Sequence, residues 1–295
     1  MSNRIAVYHS PLSLLHDPPY EILSGCLQNY VESPERCTII LRALLSADKQ
    51  EESEVTFEEF ALNWTRENVV DEGILDAVRQ VHSEEYVEFL RNIYAEWIAE
   101  GGSKVRSPWA LPFSASRISR RPTQVCVLPE CFLRQDLLLE PDTGMKKREG
   151  AIQKAGRFSF DLSSPITAGT AVCYEVATYF TGATNERGRG EGEGLNVNFP
   201  LPLGTGNEEY LETLEKGSQI IKEWDPQYLV ISLGVDTYID DPLTDFELTL
   251  EAYPVMGRII RSINIPSHFL MEGGYCLPMI GKCVRSVLEG FAAAP

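Results

Sequence analysis

From residue 207 onward the chain alternates between two kinds of pattern, and that alternation is its strongest constraint on fold. Asn207 to Trp224 carries apolar residues at helical intervals, and Tyr228 to Leu233 is a nearly all-apolar run with strand character. Thr249 to Ile263 returns to helical spacing, Ser267 to Met271 is a second short strand, and Leu277 to Phe291 is a closing helix. Strands separated by helices are joined by right-handed crossovers, which leave the strands parallel. A parallel sheet is covered on both faces by its crossover helices, which suits an apolar strand such as Tyr228 to Leu233. The pattern implies an α/β chain with a mostly parallel sheet and flanking helices.

The first half is less regular. Arg4 to Tyr8 reads as a strand that ends at His9-Ser10-Pro11, and Leu12 to Val31 reads as a loop containing Asp17-Pro18-Pro19. Ser33 suits a helix N-cap with Pro34 at the first helical position, and the helix runs to Leu45. His82-Ser83-Glu84-Glu85 opens another helix to about Ala99, its two glutamates favouring the positive end. Gly101 to Gly156 is rich in Pro, Gly and basic residues and reads as a long loop region with a short strand at Gln124 to Leu128. Pro165 is expected to begin a helix that continues to Tyr179, and Leu195 to Phe199 is expected to be a strand. The length of 295 residues suits a single large domain over 1–295.

Composition narrows the function classes. Apolar residues make up 43% of the chain, enough for a sizeable core. No apolar run approaches the roughly 20 residues of a membrane helix, and Met1 to Tyr20 lacks the apolar stretch of a signal peptide. The expected setting is cytoplasmic or nuclear, and the sequon at Asn63 is expected to stay unmodified. A formal charge of −17 disfavours direct nucleic-acid binding and tolerates cationic partners such as polyamines or basic protein tails. The seven cysteines form no Cys-x-x-Cys, so buried free thiols are expected.

In open parallel sheets, functional groups collect beyond the carboxyl ends of the strands. One strand runs into Gly234-Val235-Asp236, the other into Glu272-Gly273-Gly274-Tyr275. Asp236 could bind a metal through oxygen, and Tyr275 could donate a hydrogen bond to a developing oxyanion. On spacing alone, a turn or helix cap for Asp236 and a half-buried rim position for Tyr275 are favoured. The alternating glycines 188, 190, 192 and 194 match no phosphate-binding motif, and Glu191 and Glu193 among them oppose an anion. The four histidines (9, 16, 82 and 268) form no pair and no Asp-x-His cluster. His82 reads as a helix-start residue and His268 as a buried core residue, while His9 and His16 could reach a pocket.

Several segments, in order along nearly the whole chain, resemble the histone deacetylase and acetylpolyamine amidohydrolase superfamily. They include YHSPLSLLHDPPYEILSG, ESPERCTIILRAL, VHSEEYVEFL, FSFDLSSPITAGTAVCYEVA, FTGATNERGRGEGEGLNVNFPLPLGTG, SLGVDTYIDDPLTDFELT and MEGGYCLPMIGKCVRSVLEGF. The C-terminal pair is the most specific and is closer to the acetylpolyamine amidohydrolase branch. The resemblance implies the arginase–deacetylase fold and a zinc ion held by two Asp and one His. It also implies an adjacent His pair as general base and electrostatic partner, and a Tyr that stabilises the oxyanion. Asp236 matches one zinc-binding Asp and Tyr275 the oxyanion Tyr. His16, Asp17 and Glu21 match the entrance loop, whose acids could meet a cationic ligand. The family substrates are acetylated polyamines or acetyl-lysines.

The resemblance also exposes a gap. The family carries Gly-His-His and, further on, Asp-x-Asp-x-His-His-Gly between the segments that here meet at about 177–181. Cys173 to Ala177 instead runs directly into Thr178-Tyr179-Phe180. The His pair, the second Asp and the His ligand are missing, so the chain is expected to be internally truncated, not to hold zinc stably and to be catalytically impaired. An internal deletion of this kind is expected to bring marginal stability, oligomerisation or rearranged strand pairing. The favoured reading is an incomplete copy of a zinc amidohydrolase; the alternatives are a pseudoenzyme that binds cationic ligands without turnover, or a hydrolase of another design completed by a second subunit.

Overall fold

The computed structural model describes residues 4–15, 17, 21–23, 26–28, 30–46, 54–62, 76, 78–80, 82–99, 126–129, 163–166, 184–188 and 190–293. The chain divides into two compact units. The first comprises 1–9, 35–61 and 181–295, and the second 10–34 and 62–180.

The first unit is built on two parallel strand pairs. β1 (Arg4–His9) pairs with β4 (Thr56–Ala61), with Val7 opposite Glu59. β7 (Leu229–Leu233) pairs with β8 (Ser267–Met271), with Val230 opposite His268 and Ser232 opposite Leu270. Among the described residues, four α-helices belong to this unit: α1 (Glu35–Leu45), α3 (Asn207–Trp224), α4 (Ala252–Ser262) and α5 (Leu277–Ala292). The helix α5 buries Ile280, Val284, Val287 and Leu288, a spacing that forms one face of a helix. It packs against both α1 and α4. The stripe Arg36, Ile40, Leu44 of α1 is buried in the same way, with a cation occupying its first position. Leu233, Val235, Leu248 and Tyr253 complete the core, joined by Phe57 of β4 and by Val55 just before that strand.

Two helix crossings depend on glycine. A Cβ at Gly257 of α4 would lie 2.0 Å from the Val287 carbonyl oxygen of α5, and one at Gly290 would lie 2.2 Å from the Pro254 carbonyl oxygen. These are backbone atoms that cannot swing aside, so the two helices approach only because neither position carries a side chain. On the other side of α5, Gly281 faces Ile39 and Ala43 of α1.

The second unit contains a 3₁₀ turn at Pro11–Leu15, a short hairpin of β2 (Glu21–Leu23) and β3 (Cys26–Gln28), the helix α2 (Glu84–Ala99), and an antiparallel pair of β5 (Cys126–Pro129) and β6 (Ser163–Ile166). Ser83 caps α2: its Oγ accepts the Tyr86 N–H at 3.3 Å. Arg79 pairs with Glu84 at 2.8 Å beside this cap.

Five sequence expectations are corrected. Leu12 to Val31 is not all loop, because it holds the 3₁₀ turn and the hairpin. Pro165 does not begin a helix; it lies in β6 opposite Val127, a placement Pro tolerates on a strand edge. The remainder of that expected helix, 167–179, lies outside the described residues. Leu195 to Phe199 is not a strand, since Asn196 and Asn198 donate side-chain hydrogen bonds to Glu186. Among the described residues the β7–β8 pair is covered on one face only: Leu233 and Phe269 point to the helices, while Val230 is 62% and Leu270 44% exposed. His268 shares that open face and is therefore no core histidine.

Gly257→Ala or Gly290→Ala is expected to lower stability by about 1–3 kcal/mol through overpacking. Gly217→Ala, where the nearest atom to an added Cβ is Phe199 Cε2 at 3.7 Å, is expected to gain about 0.5–1 kcal/mol from helix propensity. Urea denaturation of the three variants checks both signs.

Candidate functional site

The loops that leave β7 and β8 at their carboxyl ends meet in the first unit. The Val235 N–H donates to the Gly273 carbonyl at 3.0 Å, and the Glu272 N–H donates to the Leu233 carbonyl at 3.0 Å. This stitching brings Asp236 against the glycines of the second loop. A Cβ at Gly273 would stand 2.4 Å from Asp236 Oδ2, and Gly274 holds φ +123° with Val235 Cγ2 2.5 Å from where its Cβ would be. Both glycines are therefore required: one by the carboxylate and one by its backbone conformation.

Asp236 is in an unfavourable electrostatic position. Burial first, and then the charges of Asp241 and Glu272, push its carboxyl pKa above the ordinary value; its own backbone hydrogen bond and Arg36 pull the other way. The same charge, added to burial, raises the phenol of Tyr210 on α3. Tyr253 lies beneath the loop, its hydroxyl 3.2 Å from Thr237 Oγ1, and burial raises its pKa too. Burial likewise pushes the Cys283 thiol up to about 12, which keeps it a neutral core group.

Tyr275 is held by two residues that the sequence reading passed over. The Arg36 Nε donates to the Gly274 carbonyl at 2.6 Å and a second guanidinium nitrogen donates to the Glu272 carbonyl. The same guanidinium carbon lies 4.7 Å from the centre of the Tyr275 ring, a cation–π contact. From the other loop, the buried Asp241 accepts the Tyr275 N–H at 2.7 Å and the Cys276 N–H at 3.2 Å through Oδ2, and the Leu243 N–H at 3.0 Å through Oδ1. The signal for Arg36 was a cation on the apolar stripe of α1. The signal for Asp241 was weaker, an acid before Pro242 that looks like any turn.

The other expected site residues fall elsewhere. Asp17 is exposed and Glu21 lies in β2, both in the second unit, while His16 lies outside the described residues. His9 Nε2 is 2.8 Å from Glu59 Oε1, and His82 packs on Tyr86 with ring centres 5.4 Å apart. Around Asp236, Asp241 has both oxygens committed to backbone donors, and Glu272 Oε1 is engaged by the Ser232 hydroxyl at 3.3 Å. A zinc site needs about three protein ligands of N, O or S character. The described residues around Asp236 do not fit one: no group of three or more His, Cys, Asp and Glu among them is placed to hold a metal ion.

A carboxyl whose pKa is raised on folding binds its proton more tightly in the folded chain. It therefore withdraws stability as pH rises from the ordinary carboxylate range, about 3.9, through the raised value. Asp236→Asn is expected to change stability little near about pH 4 and to raise the melting temperature at about pH 8. Melting curves at the two pH values check this, and a variant less stable than the parent at the higher pH would contradict it.

Comparison with known proteins places these loops. The Histone deacetylase domain family model matches residues 174–291. Acetylpolyamine amidohydrolase 1 of Pseudomonas aeruginosa is 43% identical over 116 residues, covering 39% of this chain and 34% of that protein. Acetylpolyamine amidohydrolase of Mycoplana ramosa is 39% identical over 118 residues, covering 40% of this chain and 35% of the relative. The matched part thus spans about a third of the length of these curated relatives. In structure, acetylpolyamine aminohydrolase from Burkholderia pseudomallei superposes with a TM-score of 0.72 at 19% identity, covering 98% of this chain and 99% of that one. The HDA15 HD domain gives 0.51 at 18% identity, covering 99% and 88%. Both likenesses show the α/β arginase–deacetylase fold. Among the described residues, no helix is long and apolar enough to cross a membrane. Residues 174–291 are thus similar to the Histone deacetylase domain family, and the chain shares the fold of the acetylpolyamine aminohydrolase structure.

Proposed function

We propose that this chain is an acetylpolyamine amidohydrolase-like scaffold that keeps part of a deacetylase site and lacks the rest, so that zinc-dependent amide hydrolysis is negligible. The observation that carries the reading is the isolation of Asp236. It matches a zinc-binding position, yet the whole sequence contains four histidines, none paired and none in an Asp-x-His arrangement. One carboxylate does not hold Zn²⁺ against trace free concentrations, since catalytic sites use about three protein ligands and a water. Without the metal the attacking water is not acidified and the amide carbonyl is not polarised. Without a His pair no positioned acceptor takes the proton from that water. Tyr275 keeps the position matched to the oxyanion donor, but a lone donor supplies only a fraction of the stabilisation needed.

The join at about 177–181 supports an internal truncation of a longer parent. The family match begins at residue 174, where the preceding segment gives way to Thr178-Tyr179-Phe180, and the His-bearing motifs that belong between them are absent. The relatives' names point to acetylated polyamines as the parent's substrate class, with acetyl-lysine as the alternative within the superfamily. A second reading is favoured by the net charge of −17: a pseudoenzyme that binds cationic ligands through its acids, Asp17 and Glu21 of the entrance segment among them, without turning them over.

The purified chain is expected to release no acetate above background from acetylated polyamines or acetyl-lysine peptides, with or without added zinc. Zinc-dependent turnover abolished by Asp236→Ala would overturn the proposal. Calorimetric titration with spermidine in the same preparation separates the two readings. Saturable binding without turnover favours the pseudoenzyme, and no binding favours a truncated copy.

A further inference from the structure

The Tyr275 loop is held on both sides by ionised groups, but the two grips differ in kind. Arg36 takes the carbonyls of Glu272 and Gly274 and stacks on the ring. Asp241 takes the N–H groups of Tyr275 and Cys276, and a third from Leu243 of its own loop. Asp241 is 8% exposed, so its carboxylate has little water to compensate for a lost donor. The Tyr275 amide bond fixes the backbone from which the phenol projects. The Cys276 amide bond fixes the first residue before α5, whose N-cap Cys276 makes no side-chain capping bond of its own. Orphan N–H groups at a helix start must find an acceptor, and here the acceptor comes from the loop after β7.

We infer that Asp241 is the positioning residue for Tyr275: its carboxylate locks the loop after β8 to the loop after β7, so that the phenol keeps its place relative to Asp236. This rests on the reading of Tyr275 as the retained oxyanion-type donor, but the lock itself is independent of turnover. The geometry gives it a specific weakness. An amide in place of the carboxylate can accept through one oxygen only. Its NH₂ group then faces either the Leu243 N–H or the pair of N–H groups from Tyr275 and Cys276, and either choice sets donor against donor. Hydrogen bonds from backbone N–H to a carboxylate are among the stronger ones, so a local opening is the expected consequence.

The test uses the full chain with Asp241→Asn, and Tyr275→Phe as the comparison. In Asp241→Asn, amide hydrogen exchange at Tyr275 and Cys276 is expected to accelerate at least about tenfold. The ring-current shift that Tyr275 imposes on the Arg36 side-chain protons is expected to disappear. The urea midpoint is expected to fall by no more than the same factor in the folding constant, and the amide chemical shifts of Ile280 to Leu288 are expected to stay unchanged, whereas a merely structural role would move them. Tyr275→Phe should leave the amide protection intact, because the phenolic oxygen is not part of the lock. Amide shifts that move throughout α5, or exchange that does not change at Tyr275, overturn the inference. If Asp241→Asn does not fold, the parent protein decides by NMR. Scalar coupling across the hydrogen bond between the Tyr275 amide nitrogen and the Asp241 carboxyl carbon is expected, and its absence overturns the inference. Zinc-dependent turnover would sink the proposed function without altering any of these signals.

Discussion

Two loops meet at the carboxyl ends of β7 and β8, and their meeting is set by backbone contacts that tolerate almost no side chain. Gly273 lies against the Asp236 carboxylate, Gly274 against Val235, and the Val235 N–H reaches the Gly273 carbonyl. Everything else at the site follows from that closeness. Because the glycines admit Asp236 so near, its carboxylate is taken out of water and its proton is held more tightly than usual. Because the second loop turns sharply at Gly274, its carbonyls face Arg36 while its next N–H groups face Asp241. The helices behind it make this possible: α5 starts at the end of that loop and is wedged between α1 and α4 through its own glycine contacts.

The unit therefore concentrates well-satisfied polar contacts where the two loops meet. Arg36, Asp241 and the two glycines fix the backbone on which Asp236 and Tyr275 are carried. Burial and the neighbouring acids Asp241 and Glu272 raise the Asp236 carboxyl pKa, against its own backbone hydrogen bond and the pull of Arg36.

Much of the C-terminal architecture was legible because periodicity and burial agree there. Asn207–Trp224 and Ser267–Met271 form as their patterns predict, and the helix expected at Leu277 to Phe291 ends one residue later. β4 was not legible. Its Thr-Phe-Glu-Glu-Phe-Ala carries two adjacent acids that suggest a solvated turn, and it is a strand because β1 supplies partners across the pair. Arg4 meets Glu58, His9 meets Glu59, and Tyr8 stacks on Phe60 at 5.1 Å. Leu195 to Phe199 differs in the other direction: its residues alternate, but among the described residues no strand pairs with it. Asp236 and Tyr275 could be named from the family motif but not from spacing. Arg36 and Asp241 could not be assigned roles from sequence, since each acts on backbone atoms more than 30 residues away.

We propose that this chain keeps Asp236 at a position matched to a zinc ligand without the means to retain zinc. Metal analysis after equilibration with zinc at a small excess, followed by dialysis against metal-free buffer, tests it most directly. The account predicts far less than one zinc per chain, with no difference between the parent and Asp236→Ala. One zinc retained per chain, lost in Asp236→Ala, would contradict it.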